Sequence, residues 1–227
     1  MPIPSKLRPV LAAVCRDPKN RSSVQDFNNG IIEWSDARLV EVKKEIREGL
    51  RVHQDERCFF CRRPIIAERR NMYEDIEHYL DKSKPCYRRW GIHPYNLTLS
   101  CKACNFEKGT KDIGDGIVKG AFRHPPRNGG YSWVHPYYDN YDDNIQIQKG
   151  QIYSVSATAL HPIQARALIS DLKLDKLKEL EKRKYDTLEK IKRVNNIVSA
   201  LIIPGRRKQL QLRLLRYQRE CIDDGFI

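Results

Sequence analysis

The sequence predicts an α+β chain: N-terminal helices, a cysteine-rich centre, a short β-hairpin and a basic C-terminal helical hairpin. Three patterns carry that prediction. Residues 32–50, IEWSDARLVEVKKEIREGL, put Leu39, Val40, Val42, Ile46 and Leu50 at helical spacing, so an amphipathic helix packs on the central unit. NIQIQKGQIYSV, 144–155, alternates apolar and polar residues around Lys149-Gly150, the signature of a hairpin. Leu177, Leu180, Lys184, Leu188, Ile191, Val194 or Asn195, Val198 and Leu201 fall near a heptad seam.

These patterns divide the chain into four parts. Residues 1–54 form a helical lead, and 55–112 hold two Cys-x-x-Cys pairs. Residues 113–160 read as loop followed by the hairpin: 113–135 carry several glycines and the pair Pro125-Pro126. Residues 161–227 are helical and basic. There Asp175 is placed to cap the first long helix and Pro204-Gly205 to stop it. A last helix over about 206–222 brings Leu210, Leu214, Leu215 and Ile222 near one face.

At 227 residues the chain can bury a real core, and 40% hydrophobic with 31% charged residues is a globular composition. Lys and Arg number 42 against 29 acidic residues, a net charge of +13. Such an excess favours a polyanionic partner, because basic side chains that neutralise phosphates release counterions. Residues 161–222 contribute 16 Lys/Arg against 7 Asp/Glu, +9 by subtraction, so the helical hairpin carries much of that charge. No run approaches the roughly 18 apolar residues of a membrane span. The N-terminus has only a short apolar patch and no cleavage pattern. The expectation is a cytoplasmic chain without a membrane partner.

In a reducing compartment paired cysteines read as metal ligands. Cys58 and Cys61 sit in ERCFFCRRP, Cys101 and Cys104 in LSCKACNFEKG. Four thiolates from two tight turns suit tetrahedral Zn²⁺, a closed site that holds structure and does no chemistry. The stretch between the pairs is longer than in a compact zinc ribbon, so a structural element lies between the knuckles. Cys15, Cys86 and Cys221 remain as single small side chains.

That inserted stretch, YEDIEHYLDKSKPCYRRWGIHPYNLTLSCKACNFEKGTK, resembles the HNH endonucleases, also called ββα-metal or His-Me finger nucleases. The family pattern is an acidic residue plus His, then Asn, then His or Asn, often wrapped by two Cys-x-x-Cys knuckles. Here Glu77-His78, Asn96 and Asn105 match it in order, with 18 positions from His78 to Asn96 and 9 from Asn96 to Asn105. The resemblance covers residues 55–112 and implies a zinc-clamped ββα-metal nuclease core. It also implies a role for each residue. His78 is the general base, suited to take a proton from water near neutral pH. Glu77 and Asn105 offer oxygens to Mg²⁺ or Mn²⁺, which stabilises charge at the phosphate and the leaving oxygen. Asn96 hydrogen-bonds across the hairpin and fixes the loop presenting His78, so it joins His78 in the catalytic set. Lys108, Arg88 and Arg89 are candidate phosphate contacts. The products would carry a 5′-phosphate and a 3′-hydroxyl.

Two positions depart from the pattern. Asn105 stands where many members have His, and Asp81 where many have Pro. His93, His124, His135 and His161 lack a neighbouring acid of this kind. His93-Pro94 and His135-Pro136 read as turns, and His53 as structural. Trp34, Trp90 and Trp133 read as core anchors, with Trp90 near enough to the motif to touch substrate.

The C-terminal stretch HPYYDNYDDNIQIQKGQIYSVSATALHPIQARALISDLKLDKLKELEKR is similar to the region after the HNH motif in nucleases of retron-associated and Septu-type anti-phage systems. This implies a defence context, with a homodimer or a defence-complex partner docking on the C-terminal helices. The sequence-level expectation is therefore a metal-dependent endonuclease acting on DNA, with RNA left open. Two rivals stand beside it: a non-catalytic zinc-binding DNA-binding protein, and an adaptor that recruits a nuclease complex through its helical hairpin.

Overall fold

The protein mixes helix with short antiparallel strand pairs, and each element begins where the local chemistry allows. The structure, a computed structural model, describes residues 4–65, 67–68, 71–72, 74–125, 130–148, 152–200 and 204–223. Helix α1 (Ala12–Arg16) runs into α2 (Pro18–Asn28), whose N-cap Asp17 accepts the Lys19 amide at 3.0 Å, with Pro18 preset in the first turn. The helix expected from residue 32 starts later. Asp36 accepts the Arg38 amide and opens a 3₁₀ turn, and α3 follows over Val40–Gln54. Val42, Ile46 and Leu50 form its buried stripe, while Val40 is 53% exposed.

Strands β1 (Ala67–Glu68) and β2 (Asn71–Met72) make a small pair. Strand β3 (Glu74–His78) then runs antiparallel to β4 (Leu97–Cys101), with Glu74 opposite Cys101 and His78 opposite Leu97. The short helix α4 (Pro85–Arg88) lies in the connection, and α5 (Lys102–Lys108) follows β4 without a break. Gln54, fully buried at the end of α3, ties this unit to the helical lead. Its amide nitrogen donates to the Leu99 carbonyl, and its oxygen accepts the Leu99 amide.

Residues 113–135 are more than loop. Asp115 accepts the Val118 amide and caps helix α6 (Gly116–Gly120). Helix α7 (Tyr141–Asn144) leads into β5 (Ile145–Gln148), which pairs with β6 (Ile152–Val155), as the alternating pattern predicts. The expected turn at Lys149-Gly150 lies outside the described residues. Then come α8 (Pro162–Asp171), α9 (Leu177–Ala200) and α10 (Pro204–Asp223). Asp175 sits in a 3₁₀ turn, Leu174–Lys176, just ahead of α9.

The chain divides into two compact units, 1–146 with 154–173, and 147–153 with 174–227. In the first, Leu11, Phe27, Leu39, Ile46, Phe59, Phe60 and Trp133 are fully buried. Trp90 is also core, at 3% exposure. In the second, α9 packs on α10. On the described part of the seam Leu188, Ile191 and Val194 are half-buried and Val198 buried, while Asn195 faces out. Leu215, expected near one face of the last helix, is 59% exposed, and the side chains of Leu180, Lys184 and Ile222, with the whole of Leu201, lie outside the described set. Among the described residues, no helix is long and apolar enough to cross a membrane.

Candidate active site

Two turns and one helix start build the cysteine cluster. The first knuckle closes when the Cys58 amide bonds the Arg63 carbonyl and the Arg62 amide bonds the Cys58 carbonyl, with Arg62 left-handed at φ 58°. Cys101 ends β4 and Cys104 sits in the first turn of α5. The four sulfurs lie within 4.8 Å of one another, and Cys61 Sγ is 3.8 Å from Cys101 Sγ. A tetrahedron with Zn–S bonds of about 2.3 Å has edges of about 3.8 Å. The four cysteines can therefore bind a structural metal such as zinc. Hydrogen bonds from the other three sulfurs, Cys104 first, hold the Cys101 thiol far below the ordinary range, so a thiolate is already favoured there.

The β3–β4 pair and α5 build the second site. Strand alternation puts Asp75 and Glu77 on one face of β3. One helical row of α5 meets that face: Lys102 and Asn105 reach Asp75, and Lys108 reaches Glu77. A cavity of about 380 Å³ opens beside them, and its walls include Asp75, Glu77, His78, Asp81 and Asn105. The three residues expected around a hard cation, Glu77, His78 and Asn105, thus share one cavity.

Their environments differ. His78 closes β3, is 3% exposed, and sets its ring edge-on to Trp34 with centroids 4.6 Å apart. Burial first, then the charges of Lys82, Lys108 and Arg88, push its pKa well below the usual value, so the imidazole is neutral near pH 7. Among the described residues, its buried Nε2 has no hydrogen-bond partner. Glu77 faces the Lys108 ammonium at 2.7 Å, and the two side chains are 6% and 1% exposed. Burial raises the Glu77 pKa, and Lys108 opposes that.

Asn96, fully buried, spans the loop after β3. Its side chain donates to the Leu80 and Trp90 carbonyls and accepts the Leu80 amide at 2.7 Å, while its carbonyl takes the Tyr79 amide. The asparagine therefore locks the backbone on both sides of the turn that follows His78.

The candidate phosphate contacts sort differently from their sequence-level reading. Lys108 is no surface cation. Its ammonium lies inside, on Glu77 and on the His78 carbonyl at 2.8 Å. Arg88 is likewise committed, to the Phe27 and Ile32 carbonyls and over the Phe27 ring. Arg89 is exposed, lies over Trp90 and donates to the Lys119 carbonyl, but does not line the cavity. The cations that do line it are Lys43, Arg47 and Lys82. Lys43 donates to the Trp34 carbonyl and Arg47 pairs with Glu74. Lys82 lies over the Trp34 ring, 5.7 Å from its centroid, and feels the charges of Asp81 and Glu77.

Sequence reasoning passed over Asp75, Asp81, Lys82 and Trp34 as members of this site. Asp75 was detectable, two positions before Glu77 on the same strand face. Trp34 was not, because only the tertiary fold brings it to His78. The remaining histidines lie elsewhere. His93 stacks on His124 (4.5 Å, 5° between planes), His135 stacks on Tyr138, His53 accepts the Arg8 amide, and His161 Nε2 lies 3.3 Å from Asp139 Oδ1. The chain matches no protein-family model, no curated protein and no solved structure.

Proposed function

We propose that the chain is a metal-dependent endonuclease that hydrolyses phosphodiester bonds in DNA through a zinc-clamped ββα-metal core. The observation that carries this reading is the convergence of His78, Glu77, Asn105 and Asp75 on one cavity of about 380 Å³, with Asn105 next in sequence to Cys104 of the four-sulfur cluster. Among the described residues, the cysteines are the only three or more His, Cys, Asp or Glu ligands that converge within metal-binding distance. A hard cation would therefore rest on one or two protein oxygens and complete its shell with water and substrate phosphate, the ordinary habit of Mg²⁺.

When bound, that cation supplies charge stabilisation at the phosphate and the leaving oxygen. The chain's own groups do the rest. His78, held neutral, takes a proton from the attacking water. Asn96 fixes the turn that carries it, and Trp34 limits the tilt of its ring. Lys82 and Lys43 draw the nucleic-acid backbone toward the cavity. Products with a 5′-phosphate and 3′-hydroxyl, and a role in anti-phage defence, belong to the same reading.

The test is cleavage of supercoiled plasmid with Mg²⁺ by the wild type and by His78→Ala. The reading requires nicking or linearisation by the wild type and a loss of about 10²–10⁴-fold in the variant, the usual weight of general-base catalysis. One observation favours a non-catalytic zinc-binding DNA-binding protein instead: His78 is nearly inaccessible, packed like a core residue. Wild-type protein that binds DNA yet never cuts it would decide for that rival.

A further inference from the structure

The geometry points to Asp75 and Asn105, rather than Glu77, as the pair of side chains that grips a hard divalent cation in this cavity. The inference deepens the endonuclease reading and rests on it for the cation's task.

The first argument is spacing. Asn105 Nδ2 is 2.7 Å from Asp75 Oδ2. Two adjacent oxygens around octahedral Mg²⁺, each at about 2.1 Å, stand about 3 Å apart. The amide and the carboxylate already hold that separation. A half-turn of the Asn105 amide puts its oxygen where the nitrogen now donates, because the two ends are nearly the same in shape. The hydrogen bond then keeps the two ligands in register until a cation arrives.

The second argument is competition. Glu77 is closed to a cation by Lys108, an ammonium with 1% exposure that bonds both the Glu77 carboxylate and the His78 carbonyl. A divalent ion at Glu77 would either sit against that buried positive charge or strip it of its counter-ion. Asp75 has no such bar. Its other partner, Lys102, is 56% exposed and free to swing into water, and Asp75 itself is 27% exposed.

The third argument is an unmet need on the cavity wall. Asp81 is 6% exposed and lines the same space, and one of its oxygens accepts the Ser83 amide. Its other oxygen, Oδ2, is buried and has no hydrogen-bond partner among the described residues. A carboxylate oxygen left so is unfavourable unless something donates to it or neutralises it. A cation held by Asp75 and Asn105 would add positive charge on the same cavity wall, where Lys82 already acts on Asp81 through space. With only oxygens on offer, the site selects Mg²⁺ or Mn²⁺, and the sulfur cluster selects zinc.

The experiment is Mn²⁺ titration of the zinc-loaded full chain without DNA, read by calorimetry and by the electron paramagnetic resonance of free Mn²⁺. Wild type binds Mn²⁺. Asp75→Asn, shown folded by retained zinc and an unchanged melting curve, weakens binding by about ten-fold or more. Glu77→Gln/Lys108→Met, which removes the buried pair together, changes it by no more than about three-fold, less than the loss of a supporting contact costs. Asn105→Asp supplies a second carboxylate and enlarges the rise in Tm that Mn²⁺ produces. Undiminished binding in Asp75→Asn, loss of binding in the double variant, or no binding in the wild type would each overturn the assignment. The two readings fail separately. Cleavage that needs His78 but ignores Asp75→Asn sinks only this assignment, and Mn²⁺ held through Asp75 without cleavage sinks only the nuclease.

Discussion

Replacing Lys108 with Met removes a cation from a place water cannot reach. The ammonium is 1% exposed and lies 2.7 Å from a Glu77 carboxylate that is itself 6% exposed. Removing one partner of such a pair leaves an uncompensated buried charge, which typically costs about 3–5 kcal/mol. The His78 carbonyl loses its bond to Lys108 in the same change. Glu77 can escape only by taking a proton, so the penalty shrinks as the pH falls toward the carboxyl range. Glu77→Gln/Lys108→Met removes both charges and should recover at least about 2 kcal/mol of the single variant's loss, a coupling within the range of contacting residues. Urea unfolding of zinc-loaded wild type, Lys108→Met and the double variant, at pH 7 with matched m-values, measures this directly. A Lys108→Met cost below about 1 kcal/mol would refute the internal-pair argument, since that is the range of a surface ion pair. So would a double variant no more stable than the single one. A phosphate-contacting Lys108 would give the opposite pattern: intact stability, and DNA affinity whose dependence on log salt falls by about one unit.

Acid should destabilise the first unit through its histidines. Burial lowers His93 to about 4, and burial with the neighbouring His93 lowers His124 to about 3. The unfolded chain takes up these protons near pH 6.5 and the folded chain does not, so stability present above about pH 6.5 is lost as the pH falls from there toward 4, by about 1.4 kcal/mol per unit for each ring. The slope of stability against pH in His93→Gln/His124→Gln, measured between pH 7 and 4.5 at constant zinc, should be shallower by about two protons than in wild type; equal slopes would show that the rings titrate freely. Removing zinc tests the knot. Chelation should release about one zinc per chain and lower Tm by about 10 °C or more, because a structural zinc contributes folding free energy outright. Cys104→Ser should do the same, and an unchanged Tm with no metal released would exclude a metal at the four sulfurs.

Local chemistry made part of this protein legible in its sequence. The α3 stripe, the β5–β6 strand pair and, in its described part, the α9 seam follow from periodicity. The four-sulfur cluster follows from two matched spacings, and of the motif residues Glu77, His78 and Asn105 line one cavity while Asn96 braces the loop after β3. The start of α3 was misplaced because apolar spacing runs through Ile32 while the helix obeys its cap at Asp36. Helix α6 escaped because a single capped turn has no period to display. Charge was the least legible quantity. Lys108 and Arg88 look like surface cations in a basic chain, yet the fold turns both inward, and the cations facing the cavity come from α3 and from the turn after β3. A linear string of lysines says how much charge a chain has, not which way it points.

The placement of α5 ties the four-sulfur cluster to the residues of the cavity. This helix has only 7 residues, too few to hold itself in water. Cys101 and Cys104 anchor its start at the sulfur cluster, and Asn105 and Lys108 project from its next turn onto Asp75 and Glu77. Whatever fixes the sulfurs therefore fixes the amide and the ammonium as well, and through the His78 carbonyl it fixes the end of β3. On the proposed reading, a metal at the four sulfurs would govern the chemistry without touching substrate. It would decide whether the oxygens that face the cavity are held at the spacing they have here or released with an unravelled turn. In the same way Lys108 holds Glu77 closed, which leaves Asp75, the less buried carboxylate, as the one a cation can reach at low cost.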